Sequence, residues 1–236
     1  MVNIAQLFPI NWQACFDTRH MRIGAGYDVA TTANKMSNPN SIVLCQPIGD
    51  IFYMRLALLF KTCDPKVIFE IFRYMISNLP RGMQIGKVCI DASSERFFAS
   101  LVRDMLSQWG VSVELVDSGA STMYLGEKVN FKSFLGNQLV NDFAEGRIAM
   151  PDETWAKDNV RQVYRTRGTF EADVDANGNH ADFFDAMKLA RYSVSTSLAP
   201  AQADAISTGF LFNQKTKRPE FDERFSRYNN SSQLTI

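Results

Sequence analysis

The stretch GNHADFFDAMKLA, Gly178 to Ala190, places a Gly-Asn turn and His180 ahead of two carboxylates, Asp182 and Asp185, and then runs into small and apolar residues. That spacing of apolar residues predicts a helix beginning near His180 with one buried face. Acids in a first helical turn meet the positive end of the helix dipole, which by itself accounts for Asp182 and Asp185. Whether they do more depends on what the rest of the chain brings to them.

Immediately upstream, residues 160–179 alternate and carry turn signals, which predicts a hairpin. Before that, NFKSFLGNQLVNDFAEG reads as a helix closed by Gly146, followed by an extended RIAMP. The first half is more regular. MRIGAGYD reads as a strand ending near Asp28, and SIVLCQPI and FYMRLALLF as two strands turned by Gly49 and Asp50. Asp64 and Pro65 open a helix that continues to Leu79. KVCID is a strand ending at Asp91, SERFFASLVRDMLSQWG a helix closed by Gly110, and VSVELVDSG another strand. A hairpin followed by helix-linked strands implies an α/β fold with a mixed sheet covered by helices. Residues 1–20 lack a period and read as an N-terminal arm or linker. Residues 21–198 read as the folded domain, and 199–236 as a C-terminal extension with a polar, mobile tail.

Composition narrows the function classes. The 236 residues are 46% hydrophobic and 21% charged, ordinary for a globular domain, and the net charge is zero. A partner of high negative charge would therefore need a local basic patch rather than a global field. No apolar run reaches the roughly 18–20 residues that span a bilayer, and the first residues lack a signal peptide's basic start and apolar core. Four cysteines without CxxC spacing fit a reducing, intracellular setting. GMQIGKV, Gly82 to Val88, has too few residues between its glycines for a P-loop, and IGAGYD lacks the third glycine of a dinucleotide fingerprint. With only His20 and His180, a three-histidine zinc site is excluded within one chain, and no G-x-S-x-G occurs.

Three acids share one kind of position. Asp28 and Asp91 end strands, and Asp182 starts a helix. In α/β sheets, sites assemble at the carboxyl ends of strands. Carboxylates gathered there repel one another, and a divalent cation relieves the repulsion. All-oxygen ligands favour Mg2+ or Mn2+ over zinc, and two such ions are the known device for in-line attack on a phosphodiester. Singly, each acid has a plainer reading: Asp28 as a turn cap, Asp91 as a cap reaching the amides near Ser93 and Ser94, Asp182 and Asp185 as dipole partners. Asp185 divides between helix surface and auxiliary ligand, and His180 reads as a turn residue or a group supporting the ligands.

The order of these segments resembles the ribonuclease H-like fold, and within it the nuclease domain of phage terminase large subunits. The resemblance spans roughly Ile23 to Ala190. It rests on GYDVA, on VCIDAS, on EKVNFKSFLGNQLVNDFAEGRIAMPD with its E-G-R-I-x-x-P pattern, and on GNHADFFDAMKLA, which is similar to H-x-D-x-x-D-A-x-x-L-A. It implies a mixed sheet flanked by helices, a hairpin near the active site, and catalytic metal-binding acids at Asp28, Asp91 and Asp182, with Asp185 at a position that is often acidic. The family's glycine after the second acid is missing from DASSERF, which keeps Glu95 as a second candidate there. It also implies two Mg2+ or Mn2+ ions, double-stranded DNA as substrate, cleavage during virion assembly in the host cytoplasm, and a packaging ATPase, portal and small terminase subunit as partners. The chain carries no P-loop, so the motor is expected as a neighbouring domain or separate protein. Candidate DNA contacts are Lys128, Lys132, Arg161, Arg165 and Arg167, each of which also suits a solvated face. The alternatives are another ribonuclease H-like enzyme, such as a resolvase, integrase or transposase, and a non-catalytic DNA-binding or portal-docking module.

Overall fold

The computed structural model describes residues 3–31, 38–166, 169–174 and 180–196. Strand β1 (Arg22–Asp28) lies inside the sheet. Successive side chains on a strand point to opposite faces. Ile23, Ala25 and Tyr27 therefore enter one core, and Gly24, Gly26 and Asp28 share the other face. β2 (Asn40–Ile48) pairs antiparallel with β1 and turns through Gly49 and Asp50 into antiparallel β3 (Ile51–Phe60). Gly49 has φ 61°, the left-handed conformation that a two-residue hairpin asks of its turn.

The following helix, α1 (Pro65–Asn78), begins as its sequence predicts: Asp64 accepts the Lys66 amide at 2.9 Å and proline takes the first position. The chain returns in β4 (Gln84–Asp91), parallel to β1, crosses by α2 (Arg96–Ser107), and adds β5 (Val113–Val116) parallel to β4. α3 (Phe131–Ala144), two-residue β8 (Ile148–Ala149), hairpin β9 (Val163–Thr166) with β10 (Thr169–Ala172), and α5 (Asp182–Thr196) follow in the expected order. Two elements escape the sequence reading: a small hairpin, β6 (Ser121–Tyr124) with β7 (Glu127–Asn130), and α4 (Thr154–Arg161). The central mixed sheet runs β5-β4-β1-β2-β3-β8.

Helices α1 and α2 cover the face that carries Ile23, Ala25 and Tyr27. Residues 3–20, read as an arm, pack there too, with Phe8, Trp12, Cys15 and Phe16 buried. They are pinned to the sheet by Gln46, whose amide group bonds the backbone of Asp17 and His20 and accepts from Arg55. The C-terminal extension at 199–236 lies outside the described residues.

Helix α5 covers the opposite face, and its approach is unusually close. A Cβ at Gly26 would stand 2.1 Å from the Ala186 carbonyl oxygen and 2.3 Å from the Ala190 amide nitrogen, and one at Gly24 would stand 2.0 Å from Ser193 Oγ. The glycines of IGAGYD thus serve helix packing. Buried Asp142 of α3 bonds Arg191 of α5 at 2.5 Å and Arg147 at 2.6 Å, and Tyr192 donates to Glu114 at 2.9 Å, so α5 is held laterally as well.

Gly26→Ala is expected to destabilise the fold by about 3 kcal/mol or more, since backbone rather than a movable side chain blocks the new methyl. Gly86→Ala, whose Cβ would meet nothing nearer than the Ile23 carbonyl oxygen at 3.7 Å, is expected to stay within about 1 kcal/mol of the parent. Urea unfolding of both variants checks this, and equal losses would discard the close approach as the cause.

Candidate functional site

The parallel pairing of β1 with β4 brings Asp28 and Asp91 to the same edge of the sheet, and the pleat puts both on the face under α5. Tyr27 donates to Asn40 at 2.8 Å, and Asn40 also accepts the Ala30 amide at 3.0 Å, so the backbone leaving Asp28 is anchored from β2. The start of α5 is fixed by α4: Asn159 accepts the Phe184 amide and donates to the His180 carbonyl, each at 3.1 Å. This remote cap satisfies a helix-end donor that local sequence leaves open. On the opposite flank, the β9–β10 hairpin seats Phe170 against Gly136 of α3, where a Cβ would stand 2.3 Å from the ring.

These elements enclose an open cleft of about 410 Å³ whose walls include Asp28, Glu95, Lys132, His180, Asp182 and Asp185. Asp182 is buried, whereas Asp28 and Asp185 are partly exposed. Asp91 does not line the cleft. Its Oδ1 accepts from the Ser93 amide at 2.8 Å and from the Ser93 hydroxyl at 2.5 Å, a turn bond made ahead of α2, whose cap position is Glu95, and Ser93 Oγ in turn accepts the Ser118 amide.

The burden of the site falls on Asp28. Burial of its carboxyl, then the neighbouring charges of Asp185, Asp91 and Asp182, push its pKa well above the usual carboxylate range, and Lys188 opposes them. Lys188 is itself buried and bonds Asp185. Burial works to lower the pKa of its ammonium, but Asp185, Asp28 and Asp91 carry it above the usual lysine value. Sequence reasoning missed Lys188 and the part played by the Ser93 hydroxyl. The three-residue step from Asp185 to Lys188 on a helix was the available signal for the first.

Among the described residues, no three Asp, Glu, His or Cys side chains already converge as ligands of an ion would. The acids act on one another through charge, which reaches further than ligation at about 2.0–2.1 Å. The donor set nevertheless suits a hard divalent cation, being made of carboxylate oxygens at one sheet edge.

The candidate DNA contacts are dispersed. Lys132 lines the cleft, and Lys128 lies exposed on β7. Arg161 pairs with Asp158 at 3.4 Å at the end of α4. Arg165 flanks a separate groove between the hairpin and α3 with Asn141 and Phe143, and Arg167 lies outside the described residues.

No protein-family model and no curated protein sequence matches the chain. Solved structures do. The large terminase of a thermophilic bacteriophage shares 14% identity at a TM-score of 0.50, over 78% of this chain and 44% of the phage protein. The large terminase nuclease of the thermophilic phage G20c shares 13% identity at a TM-score of 0.49, over 72% of this chain and 81% of that one. The human cytomegalovirus terminase nuclease domain, manganese-soaked and inhibitor-bound, shares 14% identity at 0.47, over 79% and 87%. The first of these likenesses bears on the fold alone: a mixed sheet flanked by helices, shared with part of a large terminase. Among the described residues no helix is long and apolar enough to cross a membrane.

The raised pKa of Asp28 means that folding favours its protonated form. The resulting penalty is absent below the unfolded value near pH 3.9, grows as pH rises, and levels off above the folded pKa. Asp28→Asn, neutral throughout, is therefore expected to melt about 2–4 °C above the parent at pH 8 in chelator, with a smaller gain at pH 5. Paired thermal melts check this. A lower melting temperature at both pH values would instead assign Asp28 to holding the turn after β1.

Proposed function

We propose that this protein is a metal-dependent endonuclease that cuts double-stranded viral DNA during genome packaging in the host cytoplasm. The observation that carries the reading is that Asp28, from the end of β1, and Asp182, from the start of α5, line one cleft, with the charge of Asp91 felt at Asp28. The likeness of fold to a phage large terminase agrees with it.

In this reading Asp28, Asp91 and Asp182 hold the divalent ions, two by resemblance, and Mg2+ and Mn2+ suit their oxygens. When bound, such ions activate the attacking water and stabilise the leaving oxygen. The chain's own groups arrange the rest. Lys132, on the cleft wall beside the acids, offers an ammonium to a phosphate next to the scissile bond. Arg165 on the hairpin extends the phosphate path, with Lys128 and Arg161 further candidates. His180 is held at its backbone by Asn159 and supports the entry to α5. The absence of base-reading features among these residues suits cleavage with little sequence preference. A packaging ATPase, a portal and a small terminase subunit are the proposed partners.

A second reading, a DNA-binding or docking module without catalysis, draws on the engagement of Asp91 by Ser93 and of Asp185 by Lys188. Supercoiled plasmid separates the two. Nicking and linearisation are expected with Mg2+ or Mn2+, but not with Ca2+ or chelator, and Asp28→Asn is expected to lower the rate at least about 1,000-fold. Cleavage that persists in chelator would sink the metal mechanism, and DNA binding without cleavage under every condition would favour the second reading.

Binding is expected to be sequence-tolerant and strongly salt-dependent. Lys132→Ala and Arg165→Ala should each flatten the slope of log affinity against log salt by about 0.9 on unrelated duplexes. A salt series by fluorescence anisotropy checks this, and an unchanged slope returns that residue to the solvated surface.

A further inference from the structure

We propose that the Lys188 ammonium is the built-in counter-ion of the acid cluster, stabilising it before any metal arrives and keeping Asp185 outside the metal's ligand set. The inference rests on the metal-binding reading above for its second half only.

Lys188 lies on α5 one turn beyond Asp185, and its side chain is only 3% exposed. A buried ammonium is tolerated where carboxylates surround it, because stripping it of water costs several kcal/mol. Here Asp185 bonds it directly, and Asp28 and Asp91 act on it through charge. The helix sets the arrangement, since residues three apart share a face. Lys188 thus supplies a permanent positive charge to a group of acids that would otherwise repel one another in the metal-free protein.

The same geometry distinguishes Asp185 from the other three acids. Transferring Asp185 to a metal would strand a buried ammonium, which is more costly than moving a carboxylate that solvent or a serine serves. Asp91 Oδ1 accepts from Ser93, and Asp28 is opposed by the like charges of Asp185, Asp91 and Asp182. Both gain from a cation, whereas Asp185 already has one.

The test uses the whole chain without DNA. Melting temperature is measured in chelator and in saturating Mn2+, and Mn2+ affinity by calorimetry, for the parent, Lys188→Met and Asp185→Asn. Lys188→Met is expected to melt lower than the parent in chelator, to regain most of that difference in Mn2+, and to bind Mn2+ at least about fivefold more tightly through the freed carboxylate. Asp185→Asn is expected to leave Mn2+ affinity within about fivefold of the parent. A Lys188→Met protein that melts like the parent in chelator, or binds Mn2+ no more tightly, would overturn the proposal. So would a greater weakening in Asp185→Asn, which remains decisive if Lys188→Met does not fold. A parent that binds no Mn2+ would defeat the metal-binding reading and the ligand-set claim, while the melts in chelator would still decide the counter-ion role.

Discussion

The close approach of α5 to β1, backbone to backbone at Gly26 and through Ser193 and Val194 at Gly24, is the constraint on which the molecule turns. With no Cβ at Gly24 or Gly26, the helix settles against the strand, the Ala186 carbonyl and the Ala190 amide lying where a side chain at Gly26 would stand. Asp182 and Asp185, on the first turn of that helix, are thereby carried to the end of β1 where Asp28 stands. The site is a consequence of packing at its back rather than of contacts among its own residues.

The start and the middle of α5 handle buried charge differently. At its middle, Asp142 of α3 receives Arg191 and Arg147, and Arg191 also lies over the Phe52 ring with its guanidinium carbon 4.5 Å from the centroid. With Glu145, which also pairs with Arg147, that group is two cations to two acids and ties helix to helix. At the amino-terminal end acids predominate: four aspartates act on one another, and Lys188 is the cation that acts on Asp28 among them. Charge is thus balanced where the helix is anchored and left unbalanced beside the cleft.

The supports of the site come from segments that look least informative in sequence. Residues 3–20 brace the reverse face of the sheet, and Gln46 locks them to it through buried polar bonds. The short α4 supplies Asn159, which fixes the entry to α5 more directly than any residue within α5 does. Gly136 of α3 does for the β9–β10 hairpin what Gly26 does for α5, admitting an aromatic ring where a side chain would block it.

Local physics made much of this legible from the amino-acid sequence. Strand alternation, the Asp64-Pro65 helix start, the Gly49-Asp50 turn and the placement of Asp28 and Asp91 at strand ends all follow from backbone preference and the period of burial, which neighbours in the chain determine. The positions of the candidate acids along the chain were readable for the same reason, and so was a bond from Asp91 to the amide of Ser93, although it closes a turn and caps no helix. What the chain could not display were partnerships between distant residues. The glycines of IGAGYD resemble half of a nucleotide motif until α5 is seen against them, and Lys188 resembles any helix lysine until burial removes the water around it. Asn159 has no local reason to cap a helix more than twenty residues onward. Backbone preference acts over a few residues and is written in order along the chain; steric fit and desolvation act between surfaces, and exist only once those surfaces have met.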